Sequence, residues 1–452
     1  MSITRKIAEF IVNTKFNDFP TEAIQKASQA IMDCSGVALA GAREPCTEKV
    51  VDWVREIGGR PDAGVPFYGF RTSPPAAALI WGTAAHALDY DDVLTSLVGH
   101  PSVTLVPVIF SLGRKSKADG RRALEAYLVG LEVEGKIGRA TSLAQYADGW
   151  HATSTVGSLG AAAAAAKMIG LDVKQTIMAL GIAASMASGL RQNFGTMTKP
   201  LHAGMAASNG VTAAMLAARG FTADESILEA EFGFANVFCG SGRYNLNLAL
   251  QGLGQSWEVL EPGITIKKYP CCAFTHRSID ALLKIRKENQ LDAEQVESIL
   301  CKHDKQGMQV LIHSRPKTGL EGKFSMQYCL AAALMEGKLG LAQFTDAAVA
   351  DPKTRDLLSR VTVEGLPDSK LEAQYSIVEI RDRNGQVYSC RVDDPRGAPG
   401  NPMTWEELIC KYRECAGVAL SFADVDRTIE LFKKIEKLKS LDVLLDLLEA
   451  TG

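Results

Sequence analysis

The chain has 452 residues, of which 46% are hydrophobic and 22% charged, so it can bury a large core and is not grossly disordered. Its 49 basic and 52 acidic residues leave a net charge of -3, which argues against a dedicated nucleic-acid binder, because such proteins need a basic surface. Ten cysteines without zinc-ligand spacing favour reduced thiols. The N-terminus lacks a hydrophobic signal core, and the longest weakly polar stretches, of about 14 residues, are too short to cross a bilayer. We therefore expect a soluble, cytoplasmic protein that binds neither nucleic acid nor membrane.

Up to about residue 260, the pattern is typical of helices joined by short loops. An Ala-rich run ends at Gly170, a residue that commonly follows the last turn of a helix. Capping boxes, in which a polar side chain closes the first turn, predict further helix starts at Asp172 and Thr222. The predicted helices include 24–37, 160–169 and 206–219.

From Pro262 onward the pattern changes to short alternating strands. Asn384-Gly385 separates two of them, which predicts a hairpin. A Pro/Gly-rich linker follows, and Thr404 then opens a final helical segment. We predict a mainly α fold with an all-α domain (1–262 plus 400–452) and an inserted α+β lid domain (263–399). The lid is predicted to hold helices at 273–290 and 325–337 and strands at 263–269, 296–301, 361–363, 375–380 and 386–392.

Several well-known catalytic motifs are absent from the sequence. It contains no G-x-G-x-x-G, Walker A loop, G-x-S-x-G elbow or H-E-x-x-H. These absences weigh against a nicotinamide enzyme, a nucleotide hydrolase, an α/β-hydrolase and a zincin.

Acidic residues and histidines cluster between residues 86 and 100. His86, Asp89 and Asp91 lie within six residues, and His100 follows in a Gly-His-Pro turn. Such a group places acids and bases at a helix end, and the same residue types can ligate a metal. A solvated helix end with capping aspartates is the alternative interpretation.

Two further segments place cations or histidines before Ala-rich helices. His151 precedes one such helix, whose dipole disfavours the imidazolium and so favours a neutral base or hydrogen-bond donor. Lys199 and His202 lie in a predicted loop before the next, where a lysine can meet a carboxylate or act as a base with a lowered pKa. A capping or packing histidine and a solvated lysine are the alternatives.

The predicted lid contributes two more candidates. Strand alternation places Lys267 and Lys268 on opposite faces, with one facing solvent and the other a cleft. Tyr328 lies at the start of a helix and is either a general acid or a core aromatic residue.

Together these segments resemble the MmgE/PrpD family, which includes 2-methylcitrate dehydratase, cis-aconitate decarboxylase and iminodisuccinate epimerase. The resemblance implies a large all-α domain, a smaller α+β lid, a homodimer with a cleft between the domains, and no metal or organic cofactor. The matching stretches are HALDYDD (86–92), GHPSVTLVPV (99–108), GWHATSTVGSLGAAAAAAKMIGLD (149–172), TKPLHAGMAASNG (198–210), IKKYPCCAFTHRSID (266–280) and KFSMQYCLAAAL (323–334).

The resemblance also implies site residues. His100 and Lys199 would carry protons, with Asp89 orienting His100 and Tyr328 acting as a second acid. Lys199, Lys267 and His151 are the candidates for holding substrate carboxylates. Beyond the resemblance, we add His202 and Tyr146 as substrate-binding candidates, and Tyr146 would also suit an epimerase that needs a base on each face. The catalytic set is therefore Asp89, His100, His151, Lys199 and Tyr328.

The sequence thus predicts a cofactor-free lyase or epimerase that transfers a proton next to a carboxylate of a small di- or tricarboxylate. The alternatives are cis-aconitate decarboxylase or 2-methylcitrate dehydratase proper. The dehydratase and decarboxylase forms of the family carry Thr-Trp where this chain has Val93-Leu94. This difference argues against 2-methylcitrate and cis-aconitate as substrates. A non-catalytic carboxylate-binding helical protein is a rival of another class. A metal hydrolase using His86, Asp89, Asp91 and His100 is a further rival, although we expect no functional metal.

Overall fold

The computed structural model describes residues 2–366 and 375–450. The chain divides into two compact units, Met1–Ile266 with Thr404–Gly452 and Lys267–Met403. Among the described residues, no helix combines the length and apolarity that crossing a membrane requires.

Helices make up most of the first unit, which confirms a mainly α protein. Its helices before the second unit are α1 (Ile3–Asn13), α2 (Thr21–Gly41), α3 (Pro45–Ile57), α4 (Pro74–Ala87), α5 (Ser102–Ser116), α6 (Gly120–Ala147), α7 (Ala152–Ile169), α8 (Val173–Met186), α9 (Thr198–Ala217) and α10 (Phe234–Cys239).

Among the residues that the structure describes, six α-helices lie in the second unit and three more in the C-terminal part of the first unit. They are α11 (His276–Asn289), α12 (Lys305–Val310), α13 (Gly319–Gly322), α14 (Met326–Glu336), α15 (Asp346–Ala350), α16 (Pro352–Leu358), α17 (Trp405–Ala416), α18 (Phe422–Lys433) and α19 (Asp442–Glu449).

Small residues let the helices of the first unit approach closely. The alanines of α7 at 161–166 are buried on every side, as expected for a helix surrounded by others. A Cβ atom on Gly82 of α4 would lie 2.7 Å from the Cα of Gly204 in α9. Two glycines therefore bring the backbones of α4 and α9 together, and these helices carry His86 and Lys199.

The helix ends follow the predicted capping in two places. Gly170 ends α7 in a left-handed conformation, with φ of +72°. Asp172 and Gln175 form the predicted capping box of α8. The helix predicted after Thr222 is wrong: residues 225–233 form turns and bends, and Asp224 accepts hydrogen bonds from the amide and hydroxyl of Ser226, which stabilises a turn.

The strands are β1 (Ala63–Gly64), β2 (Arg71–Thr72), β3 (Val93–Leu94), β4 (Ile264–Thr265), β5 (Val296–His303), β6 (Val361–Gly365), β7 (Ser376–Asp382) and β8 (Val387–Val392). The predicted strand at 263–269 is shorter than expected. Only Ile264–Thr265 is extended, and it pairs with Val93–Leu94 in the first unit.

The second unit is built on a four-stranded mixed sheet in the order β6-β5-β7-β8. The predicted hairpin is confirmed: β7 and β8 pair antiparallel, with Ser376 opposite Val392. Gly385 in its turn has φ of +84°, a conformation that favours glycine. Val378 and Ile380 are buried on one face of the sheet, together with apolar side chains of α11 and α14.

Candidate active site

A turn that follows α4 carries three buried aspartates. Asp89, Asp91 and Asp92 are each at most 4% exposed. Asp89 has a left-handed backbone with φ of +52°, a conformation that costs free energy in residues other than glycine, although aspartate adopts it more readily than most. Because an unpaired buried carboxylate is very costly, the partners of these three side chains determine what the turn can do.

Asp91 connects two histidines. Its carboxylate lies 3.0 Å from Nδ1 of His86 and 2.9 Å from Nδ1 of His100. Nδ1 of His100 is also 2.9 Å from the backbone oxygen of Asp92. Because the Asp91 carboxylate and this oxygen are both acceptors, Nδ1 carries the proton. The other nitrogen, Nε2 of His100, is left as the atom that can accept a proton.

Among His86, Asp91 and His100, the negative charge lies on the carboxylate of Asp91. Burial acts to raise the pKa of Asp91, but the two flanking imidazoles, His86 and His100, lower it well below its usual range. Burial lowers the pKa of His86 to about 3, in spite of the opposing effect of Asp91. A neutral His86 therefore donates to an ionised Asp91.

Lys199 and Asp89 form a buried ion pair. Nζ of Lys199 donates to Oδ1 of Asp89 at 2.6 Å, and both side chains are 6% exposed. The predicted loop placement of Lys199 and His202 is wrong, because α9 begins at Thr198 and both lie in its first two turns. Nε2 of His100 lies 3.9 Å from the same Asp89 oxygen. The ammonium and the imidazole therefore face one carboxylate.

His151 and His202 extend the group. Their Nδ1 atoms are 3.1 Å apart, so only one proton can lie between them. The ring of His151 stacks near that of His86, with centroids 5.9 Å apart, and meets Phe194 edge-on at 4.9 Å. Burial, followed by the charge of Lys199, lowers the pKa of His202 to about 4.

His151 is neutral for a different main reason than the sequence indicated. Burial lowers the pKa of His151 well below its usual range, and the cationic forms of its neighbours add to the effect. Its position immediately before α7 agrees with the expected helix N-terminus.

Tyr146 lies at the end of α6 beside an arginine that the sequence analysis missed. The guanidinium carbon of Arg191 is 3.7 Å from the centre of the Tyr146 ring, and the side chain donates to the Tyr146 backbone oxygen at 2.5 Å. Arg191 also lies 6.0 Å from the ring of Phe194, which contacts His151. The signal in the sequence that could have indicated Arg191 is its position, a basic residue eight residues before Lys199.

The remaining two predicted site residues belong to the second unit. Lys267 is fully buried. Tyr328 is buried in α14, donates to the backbone oxygen of Gln343 and packs edge-on against Phe344 with ring centres 5.9 Å apart. Burial raises the pKa of Tyr328. Their roles in catalysis and substrate binding stay predictions.

Four of these side chains are also close enough together to bind a metal ion. Among the described residues, His86, Asp89, Asp91 and His100 offer ligand atoms within 4.8 Å of one another. Asp89 already pairs with an ammonium, and Asp91 already accepts from two imidazoles. Because a metal would have to replace these hydrogen-bonding partners, we expect the four residues to work as an acid–base group.

The orienting role of Asp91 was not predicted. Asp89 is the residue that the sequence predicts to orient His100, but Asp91 is the carboxylate that contacts Nδ1 of His100. Spacing gave no basis for the choice, because the left-handed residue in the turn changes the direction of the side chains that follow.

Comparisons with known proteins identify the family of the chain. The family model described as the MmgE/PrpD N-terminal domain matches residues 5–247, and that of the MmgE/PrpD C-terminal domain matches 269–437. Similar proteins include the cis-aconitate decarboxylases of Homo sapiens (29% identical over 99% of this chain and 95% of that protein) and Mus musculus (30%, over 99% and 93%). That of Aspergillus terreus is 27% identical over 99% of this chain and 96% of its own.

Proposed function

This chain belongs to the MmgE/PrpD family, and from that premise we propose that it is a cofactor-free lyase or epimerase of a small di- or tricarboxylate. It is an enzyme of a family whose relatives named above are decarboxylases. The proposed reaction moves a proton at a carbon next to a carboxylate.

The observation that carries the proposal is the buried arrangement of Lys199, Asp89 and His100. A carbon next to a carboxylate is a weak acid, so the enolate-like charge that forms on it must be stabilised by fixed donors. The ammonium of Lys199 is such a donor in a site with little water. Nε2 of His100 is the proton acceptor, because Asp91 holds the other ring nitrogen protonated.

The neutral histidines suit the binding of a polycarboxylate. His151 and His202 can each present a hydrogen-bonding nitrogen without adding a second buried positive charge next to Lys199. Tyr146 is proposed as a second base or binding group. For Lys267 and Tyr328 of the second unit we keep the roles that the resemblance implies, a cation for a substrate carboxylate and an acid.

Cis-aconitate decarboxylation is the second candidate, and the names of the relatives favour it. In that reaction CO2 leaves and the same carbon is protonated. Val93 is partly exposed beside the aspartate turn and has no hydroxyl to offer a substrate. We therefore propose a substrate that needs no hydrogen bond at this position.

The test is to incubate the protein with a panel of di- and tricarboxylates and identify the products. Release of CO2 identifies a decarboxylase, an alkene with loss of water a dehydratase, and loss of optical activity at constant mass an epimerase. His100→Ala should abolish the conversion, whereas His313→Ala, outside the cluster, should not. Failure to convert any carboxylate that binds would leave a non-catalytic binding protein as the better interpretation.

We also propose a cytoplasmic homodimer with a domain division near residues 262 and 400. All ten cysteines lie among the described residues and none forms a disulfide, as is usual for a reducing compartment. Leu143, Leu190, Phe232 and Val237 are more than half exposed and lie on α6, α10 and the neighbouring loops, where a second copy would cover them. Sedimentation equilibrium tests the dimer, and a monomer mass at working concentrations would contradict it.

A further inference from the structure

A buried lysine of the C-terminal helical segment reaches the aspartate turn. Lys411 lies in α17 and is 4% exposed. Its Nζ donates to the backbone oxygen of Tyr90 at 2.9 Å and forms an ion pair with Oδ1 of Asp33 at 2.7 Å. The ammonium also lies 4.0 Å from the centre of the Tyr90 ring. Tyr90 stands between Asp89 and Asp91, so Lys411 contacts the backbone that joins these two carboxylates.

The turn requires such a contact. The left-handed conformation of Asp89 is strained and persists only where the surrounding structure determines it. The Tyr90 carbonyl belongs to the peptide bond between Tyr90 and Asp91, and Asp89 directly precedes Tyr90, so a shift of this carbonyl moves both aspartate side chains. Asp89 would then move relative to Lys199, and Asp91 relative to His100.

Packing alone does not explain why the charged side chains of Lys411 and Asp33 are buried. Asp33 of α2 is 2% exposed, and taking both charges of an ion pair out of water costs free energy that well-packed apolar residues would not cost. The lysine uses its ammonium on a carbonyl of the turn, a contact that no apolar side chain can make.

We propose that Lys411 is a positioning residue, with Asp33 as its partner, which fixes the Tyr90 carbonyl and thereby sets the Asp89–Lys199 and Asp91–His100 contacts. The inference rests on the proposed function, because it gives the pair a role in that site. It also makes the segment after the second unit, residues 404–452, part of the active-site architecture of the first unit.

The experiment compares Lys411→Met, the double variant Lys411→Met/Asp33→Asn and the control Lys167→Met. Lys167 is also buried, pairs with Glu125 and donates to the backbone oxygens of residues 11, 12 and 14, away from the aspartate turn. Three quantities are measured: kcat and KM with the carboxylate found in the screen, the unfolding midpoint in denaturant, and the NMR signal of the His100 Nδ1 proton in protein labelled with 15N-histidine.

Lys411→Met should lose stability, because Asp33 is left buried without its cation, and the double variant should regain most of that loss. Both should keep a kcat about ten to a hundred times below that of the unmodified protein, with little change in KM, because the proton carriers are displaced by a fraction of an ångström. Both should shift the His100 signal. Lys167→Met should lose stability without changing kcat or the His100 signal.

A folded double variant with unchanged kcat and an unchanged His100 signal would overturn the inference, and so would equal changes in Lys167→Met. If the unmodified protein converts no carboxylate, the proposed function fails while the His100 signal still tests the positioning. A shift in both Lys411 variants but not in the control would then support it, and no shift would overturn it.

Discussion

At the candidate site, hydrogen bonds between individual side chains determine which atoms carry protons. Asp91 accepts from Nδ1 of both His86 and His100, which leaves Nε2 of His100 as the ring atom that can accept a proton. The residue types and their rough positions were predictable from the sequence, since Asp89, His100, His151, Lys199 and His202 all lie in one connected group. Which aspartate faces which histidine was not predictable, because it depends on the backbone of one left-handed residue.

Replacing Lys199 by Met should remove both activity and stability. Turnover should fall at least about a hundredfold, the range for loss of an acid–base group. Since Asp89 would remain buried without its cation, the free energy of unfolding should fall by about 3 to 5 kcal/mol. The double variant Lys199→Met/Asp89→Asn should regain most of the stability but none of the turnover. Denaturant unfolding and kinetics check both, and normal turnover in the single variant would remove Lys199 from its proposed role.

Because of His202, the free energy of unfolding should decrease as the pH falls below neutral. Its pKa is about 4 in the folded protein, against about 6.5 for an unperturbed histidine. Between these values the unfolded chain binds a proton that the folded chain does not. The free energy of unfolding should therefore fall as the pH drops from 6.5 towards 4, by at most about 1.4 kcal/mol per pH unit for this group, and be independent of it above that range.

Denaturant titrations from pH 7 to pH 4 measure this effect. His202→Asn should flatten this decline relative to the unmodified protein. Identical slopes in the unmodified protein and in His202→Asn would contradict the buried, neutral state of this histidine.

At the scale of elements, the predictions from the sequence succeeded where local signals act alone. The glycine at the end of α7, the capping boxes of α8 and α17, and the β7–β8 hairpin all depend on residues within one turn of each other. Predictions failed where a distant partner decides, as at Ile264–Thr265, which pairs with Val93–Leu94 across about 170 residues of chain. The early start of α9 belongs to the same class, since Lys199 in its first turn is stabilised by Asp89 of another segment.

The close approach of α4 and α9 should be essential to the site. A Cβ atom on Gly204 would lie 2.4 Å from the backbone oxygen of Leu79 and 2.4 Å from Oγ1 of Thr83. Alanine is the better helix former by about 1 kcal/mol, but the helices must separate to admit it. We expect Gly204→Ala to lower the free energy of unfolding by about 1 to 2 kcal/mol net and to reduce kcat, because His86 and Lys199 lie on the two helices.

Met205→Ala, at the next position of α9 and 37% exposed, is the control for this substitution. It should leave both the unfolding midpoint and kcat close to those of the unmodified protein. A Gly204→Ala protein that is more stable than the unmodified one would contradict the tight packing of these helices.

At the scale of the whole molecule, two elements that are distant in sequence, helix α17 and the turn after α4, contribute buried polar groups that contact each other. Residues of the C-terminal helix α17 reach the turn after α4, so the helical unit needs both ends of the chain. The mainly α character was predictable from composition and period. The contact between Lys411 and Tyr90 was not, since a long-range contact of one lysine leaves no local pattern.

Chelation should leave the activity intact. We expect purified active protein to contain far less than one metal ion per chain, because the carboxylates at the site already have cationic or imidazole partners. Elemental analysis and assays before and after treatment with a chelator check this. Loss of activity that added zinc restores, with one zinc per chain, would instead support the metal alternative at His86, Asp89, Asp91 and His100.

The most direct test of the account is exchange of a carbon-bound proton with solvent. The protein, freed of metal, is incubated in D2O with each di- or tricarboxylate that binds, and deuterium at the carbon next to the carboxylate is followed by NMR. We predict incorporation by the unmodified protein and by His313→Ala, with a rate at least about a hundredfold lower in His100→Ala. Absence of deuterium from every bound carboxylate, or equal incorporation with His100→Ala, would contradict proton transfer by this cluster.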